Sequence, residues 1–85
     1  MYKLNDSAMT TKVDDELLIL DPAGGNYFGI NPSGTRILEI LLAAESLEAC
    51  IAAIAREYEV EKSRAEADLA AFISRMKEKG LLLEK

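Results

Sequence analysis

Apolar and polar positions divide the chain into a front section with a period of two and a longer section with a period near 3.6. Met9-Thr10-Thr11-Lys12-Val13 alternates, with Met9, Thr11 and Val13 on one face and Thr10 and Lys12 on the other. Leu17-Leu18-Ile19-Leu20 is an apolar run of strand length. The third extended segment is Asn26-Tyr27-Phe28-Gly29-Ile30, where Phe28 and Ile30 face the core and Tyr27 and Gly29 lie more exposed. Two turns separate these strands. One is the acidic Asp14-Asp15-Glu16, the other Asp21-Pro22-Ala23-Gly24-Gly25-Asn26, dense in turn formers. Short links of this kind predict an antiparallel meander in chain order, which makes 26–30 an edge. Residues 1–8 read as an irregular or loosely paired lead-in.

Everything beyond Asn31 reads as helix. Asn31 suits an N-cap, and Pro32 suits the first helical position because its missing N–H would be unpaired there anyway. The first helix then spans 32–43, with Ile37, Leu38, Ile40, Leu41 and Leu42 on a broad apolar face. Ser46 caps a second helix over 47–58, whose apolar line is Leu47, Cys50, Ile51, Ile54 and Tyr58. Ser63-Arg64-Ala65-Glu66 has the spacing of a capping box and predicts the start of a third helix running to Lys79. Gly80 is its C-terminal glycine, and Leu81-Leu82-Leu83 is a short extended tail. The fold class predicted is α+β: a three-stranded antiparallel sheet followed by three helices, in a winged helix-turn-helix-like arrangement, with 1–85 as one domain.

Composition removes several classes of function. The hydrophobic fraction is 49% and the charged fraction 29%, as in a globular domain, and no apolar run is long enough to cross a membrane. The first residues lack the hydrophobic stretch of a signal peptide, so a cytoplasmic protein is expected. There is no His and a single Cys, Cys50, which reads as a small apolar helix residue. Metal centres and His-based catalysis therefore have little to build on; no cofactor, no metal and no enzymatic activity are expected. Net charge is −5. Residues 1–60 hold 4 basic and 10 acidic side chains and residues 61–85 hold 6 and 5, so the acidic excess lies in the front two-thirds. A nucleic-acid partner calls for a basic stripe, and a winged-helix DNA-binding regulator, the rival from another class, would have to place Glu66, Asp68 and Glu78 on its recognition helix.

The chemistry-bearing patterns are weak as catalytic motifs. Asp14, Asp15 and Glu16 are consecutive, so their side chains diverge in a turn. Gly24-Gly25 precedes a strand and lacks the helix N-terminus of a phosphate loop. Capping accounts for Asn31-Pro32-Ser33-Gly34. The third helix is more informative: Arg64, Asp68, Arg75 and Lys79 run along one polar flank beside its apolar stripe. Together with the third strand this outlines a groove with Ile30, Phe72 and Met76 at its floor and Arg75 and Lys79 at one lip. Nothing within 26–30 carries the charge or proline that normally blunts an edge. Such an edge suits strand addition by an extended peptide.

Leu18-Ile19-Leu20-Asp21, Gly25-Asn26-Tyr27-Phe28-Gly29-Ile30-Asn31-Pro32-Ser33-Gly34, Ile37-Leu38, and Leu81-Leu82 after Gly80 together resemble the PqqD-like family. These are the recognition elements of ribosomally made, modified peptides. The likeness runs from about Met9 to Leu83 and is nearest to the discrete leader-binding B1 type of lasso-peptide pathways. It implies a non-catalytic domain that binds the precursor's leader peptide as an added strand and presents it to a separate leader peptidase (B2-type), with a lasso cyclase downstream. Leaders of the family often carry a Tyr-x-x-Pro element, which needs an apolar pocket. Carried to this chain, the peptide-binding residues are Asn26, Tyr27, Phe28, Gly29 and Ile30 of the strand. Asp68, Phe72, Arg75, Met76 and Lys79 form the helix wall, placed there by spacing. A related alternative is a peptide chaperone serving a radical SAM enzyme. The open edge allows a monomer or a strand-exchanged dimer, without nucleic-acid or membrane partners.

Overall fold

A computed structural model describes residues 1–21 and 24–84. Element order is β1 (Tyr2–Leu4), β2 (Met9–Val13), β3 (Glu16–Asp21), β4 (Asn26–Ile30), α1 (Pro32–Ala43), α2 (Leu47–Tyr58), α3 (Lys62–Glu78) and β5 (Leu82–Glu84). The α+β architecture expected from the sequence is present. Strands β2, β3 and β4 form an antiparallel sheet in that order, with Leu17 opposite Ile30 and Ile19 opposite Phe28. Of the expected β3–β4 turn, Pro22 and Ala23 lie outside the described residues; Gly25 has φ +68°, a value that suits glycine.

Residues 2–4 are not an irregular lead-in. They pair antiparallel with β5, Tyr2 opposite Glu84 and Leu4 opposite Leu82, in a separate two-stranded sheet. Asn5 closes this clasp: its N–H donates to the Leu81 carbonyl at 2.8 Å and its Nδ2 to the Gly80 carbonyl at 2.9 Å. A three-residue strand is too short to show a period, and its partner lies at the other end of the chain.

The core sits between the sheet and the helices. Ile19 of β3 is fully buried with Leu38 and Leu41 of α1, Cys50 and Ile54 of α2, and Ala65, Leu69, Phe72, Ile73 and Met76 of α3. Strand residues opposite each other share a face, so Thr10, Lys12, Leu17, Phe28 and Ile30 lie on the helix side with Ile19. Met9, Leu20 and Tyr27 form a row on the open side, where Met9 and Tyr27 are exposed.

Helix ends follow local chemistry. Asn31 Oδ1 accepts from Gly34 N–H at 2.8 Å, and Ser46 Oγ accepts from Ala49 N–H at 3.1 Å. Gly80, at φ +71°, ends α3; Leu81 N–H donates to the Met76 carbonyl and Gly80 N–H to that of Lys77, which turns Leu81 back into the core. The capping box expected at Ser63–Glu66 does not form. Glu61 is the N-cap, without a side-chain hydrogen bond, and Ser63 already lies inside the helix. Glu59 adopts φ +53° at the end of α2, and Val60 N–H returns to the Ala55 carbonyl at 3.0 Å. This tight reversal starts α3 earlier than the Ser–Glu spacing implies.

Thr35 is 3% exposed and joins α1 to the sheet. Its hydroxyl accepts from Leu17 N–H at 3.1 Å and donates to the Ile30 carbonyl at 3.1 Å. On the far side, Lys12 Nζ meets Glu39 at 3.1 Å, and the Arg36 guanidinium holds both oxygens of Glu57 at 2.8 Å, linking α1 to α2. These hydrogen bonds hold the Glu39 and Glu57 carboxyls below the usual carboxylate range.

Replacing Thr35 with Val removes both bonds and leaves a backbone donor and acceptor unpaired. Urea unfolding is expected to show a loss of about 2 kcal/mol or more, with Thr35→Ser far milder. Depressed Glu39 and Glu57 contribute stability that is present above their unfolded-state pKa and lost as pH falls through the folded values. Thermal midpoints should therefore drop on acidification from about pH 6 to about pH 3, and less steeply in Arg36→Met.

Candidate functional site

Strand β4 is an edge. Its inner neighbour is β3, and among the described residues no strand lies on its other side. Leu17 N–H and Ile30 C=O face each other through the Thr35 hydroxyl, so Ile30, and by alternation Phe28 and Asn26, direct their main-chain groups toward β3. The main-chain groups of Tyr27 and Gly29 then point outward along the free border. The helix that follows carries the chain away from the sheet, so no later strand returns to cover it.

Beside this border lies a groove of about 350 Å³ between the end of β4, the first turn of α1 and the last turns of α3. Gly29, Ile30, Asn31 and Gly34 line one side, and Phe72, Arg75, Met76 and Lys79 the other. The helical spacing of 72, 75, 76 and 79 puts these four on one face of α3. Phe72 and Met76 are buried and give an apolar floor, while Ile30 is half-buried. Lys79 Nζ stands 4.8 Å from the centre of the Phe28 ring, a cation–π contact that holds the ammonium at the mouth. Neither Arg75 nor Lys79 forms an ion pair among the described residues.

The structure gathers the sequence-predicted residues unevenly. Gly29, Ile30, Phe72, Arg75, Met76 and Lys79 line the groove. Phe28 touches it through Lys79, and Asn26 opens the strand opposite Asp21. Tyr27 is 70% exposed and projects from the open face of the sheet, away from the groove. Asp68 is not part of the groove wall; it lies about one turn N-terminal of Phe72 on α3 and pairs with Arg64 at 3.4 Å. Asn31 and Gly34 belong to the lining and were not named as peptide-binding residues from the sequence, where capping explained Asn31 and close packing of the first turn explained Gly34. The signal available was Gly34 itself, a glycine inside a helix.

A second concavity, about 410 Å³, lies between α2 and α3 and is lined in part by Leu47, Ile51, Ile73 and Lys77. Its cation differs from those of the groove: Lys77 meets Glu84 at 2.6 Å and stands 5.5 Å from the Tyr2 ring. Cys50 is fully buried, and burial pushes its thiol pKa up. No cluster of three or more potential metal ligands occurs among the described residues, and no helix there is long and apolar enough to cross a membrane.

A three-stranded antiparallel sheet with a free border, packed on three helices beside an apolar groove, is the architecture of a PqqD-like recognition element. Two solved structures share it. One, described as "TbiB1 in Complex with the TbiA(beta) Leader Peptide", has a TM-score of 0.86 and 32% identity over 98% of this chain and 96% of that one. The other, "Lasso peptide synthetase B1 complexed with the leader peptide", has a TM-score of 0.87 and 30% identity over 98% of each chain. The family model for coenzyme PQQ synthesis protein D (PqqD) matches residues 16–82, and the chain belongs to that family. No curated protein sequence matches it.

Proposed function

We propose that this protein is a non-catalytic adaptor of lasso-peptide biosynthesis. It holds the leader segment of a ribosomally made precursor as an added strand on β4 and delivers it to a leader peptidase. The observation that carries this is the unpaired β4 border lying directly beside a groove with an apolar floor and two unneutralised cations. Support comes from the two similar structures, both of which hold a leader peptide.

Magnitudes indicate how the parts divide the work. The outward N–H and C=O groups of Tyr27 and Gly29 offer four main-chain hydrogen bonds. At about 1 kcal/mol net each they give about 4 kcal/mol, so even before association and ordering costs the backbone alone reaches a Kd no tighter than about 1 mM. Micromolar affinity needs about 8 kcal/mol before ordering costs, so side chains must supply the remainder. An apolar side chain seated over Phe72 and Met76 contributes about 1.5–3 kcal/mol. A leader carboxylate near Arg75 and Lys79 adds a charge contact and steers the encounter, which matters in a protein whose net charge of −5 otherwise repels acidic peptides.

The test is a fluorescence-anisotropy titration with two probes: the TbiA(beta) leader, and the leader encoded by a short precursor reading frame next to this protein's own gene. Saturable binding of the latter is expected; its failure to bind would refute the proposal. Gly29→Pro removes an outward N–H and is expected to weaken binding at least tenfold with the circular dichroism spectrum unchanged. Arg75→Glu with Lys79→Glu should reduce affinity for an acidic leader and flatten its salt dependence, and an unaltered titration would eliminate the basic lip from the site.

A further inference from the structure

We propose that Gly34 sets the size of the apolar side chain that the groove admits, by keeping open the space between Ile30 and Phe72. This rests on the peptide-binding role proposed above and specifies what the site selects.

Gly34 stands third in α1, with its N–H donated to Asn31 Oδ1 at 2.8 Å. Its conformation does not require glycine: positive φ occurs at Gly25 and Gly80, not here. Alanine would ordinarily be favoured over glycine in a helix. What the bare Cα provides is therefore space. A Cβ built on it falls 2.7 Å from Ile30 Cγ2, 3.1 Å from Asn31 Oδ1 and 3.6 Å from Phe72 Cε1. Ile30 and Phe72 belong to opposite walls of the groove, so a methyl group would stand between them.

Neither near neighbour yields easily. The Ile30 methyl sits on a branched carbon with restricted χ1, on a residue held opposite Leu17 and bonded through its carbonyl to Thr35. The Asn31 side chain is fixed by its capping bond. Gly29, in the same lining, contrasts with this. A Cβ there meets only Leu18 Cδ2 at 3.7 Å, an ordinary contact, so its size does not govern the groove. The space kept open by Gly34 lies between Ile30 and Phe72, in a lining that also includes Met76, Arg75 and Lys79. The ligand chemistry that fits is a bulky apolar side chain with a carboxylate a few residues away.

A random-peptide phage library selected in parallel on wild-type and Gly34→Ala protein tests this. Wild type is expected to enrich Leu, Met, Phe or Tyr at one anchor position near an Asp or Glu, and Gly34→Ala to shift that position to Ala, Val or Pro. In anisotropy titrations with the best wild-type peptide, Gly34→Ala should lose at least tenfold in affinity. With the anchor replaced by Ala, the two proteins should agree within about twofold. Identical enrichment, or equal losses for both peptides, would overturn the size-selection role while leaving strand addition in place. A wild type that enriches nothing would instead defeat the binding role. Should Gly34→Ala fail to fold, Gly34→Ala with Ile30→Leu removes the Cγ2 methyl that the new Cβ meets, with Ile30→Leu alone as its control. The double variant is expected to keep the preference for small anchors; a return of the wild-type preference would overturn the proposal.

Discussion

One buried hydroxyl determines how sheet and helices meet. Thr35 Oγ takes the amide hydrogen of Leu17 and gives its own to the carbonyl of Ile30, at the end of the β3–β4 ladder. Without it, two main-chain groups at a buried junction would lack partners, in a chain where every buried side-chain polar atom among the described residues is bonded. The contact pins the first turn of α1 to the strand ends. Pro32 and the Asn31 cap then turn the chain directly from strand to helix. Because α1 leaves at this point, β4 keeps its outer border free and Gly34 comes to rest between Ile30 and Phe72.

Charge is distributed consistently with that geometry. Ion pairs on the other surfaces neutralise Lys3, Lys12, Arg36, Arg64 and Lys77. All are exposed, and exposed pairs contribute little to stability individually. Their larger consequence is where positive charge is left over. Among the described residues Arg56, Lys62, Arg75 and Lys79 form no ion pair, and of these Arg75 and Lys79 line the groove, with Lys79 positioned over the Phe28 ring. The groove is thus locally cationic in an acidic protein.

Much of the architecture could be read from local pattern. Helices α1 and α2 begin and end where their caps and apolar periods indicate, and β4 is an edge because three short strands joined by turns leave the last one outside. What escaped the sequence depends on distant partners or on competition between local signals. The β1–β5 pairing joins the two ends of the chain, and neither three-residue strand has a period of its own. The Ser63–Glu66 spacing was a valid cap, but the left-handed turn at Glu59 moved the helix start ahead of it. Thr35 carried no pattern, and Gly34 showed only as a small residue in a first helical turn; the significance of both lies in what they face after folding. On the site, helical spacing separates residues by angle but not by height. Asp68 therefore shared a flank with Arg75 and Lys79, yet it sits one turn before the groove lining begins at Phe72 and pairs with Arg64 instead.

A free strand border invites association with any extended chain, including another copy. Several features limit this here. The border is short, and only Tyr27 and Gly29 present main-chain groups outward, so pairing by backbone alone is weak. A second copy approaching β4 would bring its own Arg75 and Lys79 toward this pair, and each chain carries a net charge of −5 that disfavours approach at long range. In the peptide-binding role proposed above, the main-chain border is indifferent to sequence, whereas the groove would select an apolar side chain that fits beside Gly34 and a carboxylate near Arg75 and Lys79. Separating a weak, general attachment from a selective anchor lets one edge be both exposed and discriminating. In that role a chain that satisfies only the backbone would dissociate, and retention would require that the same segment also fill the groove.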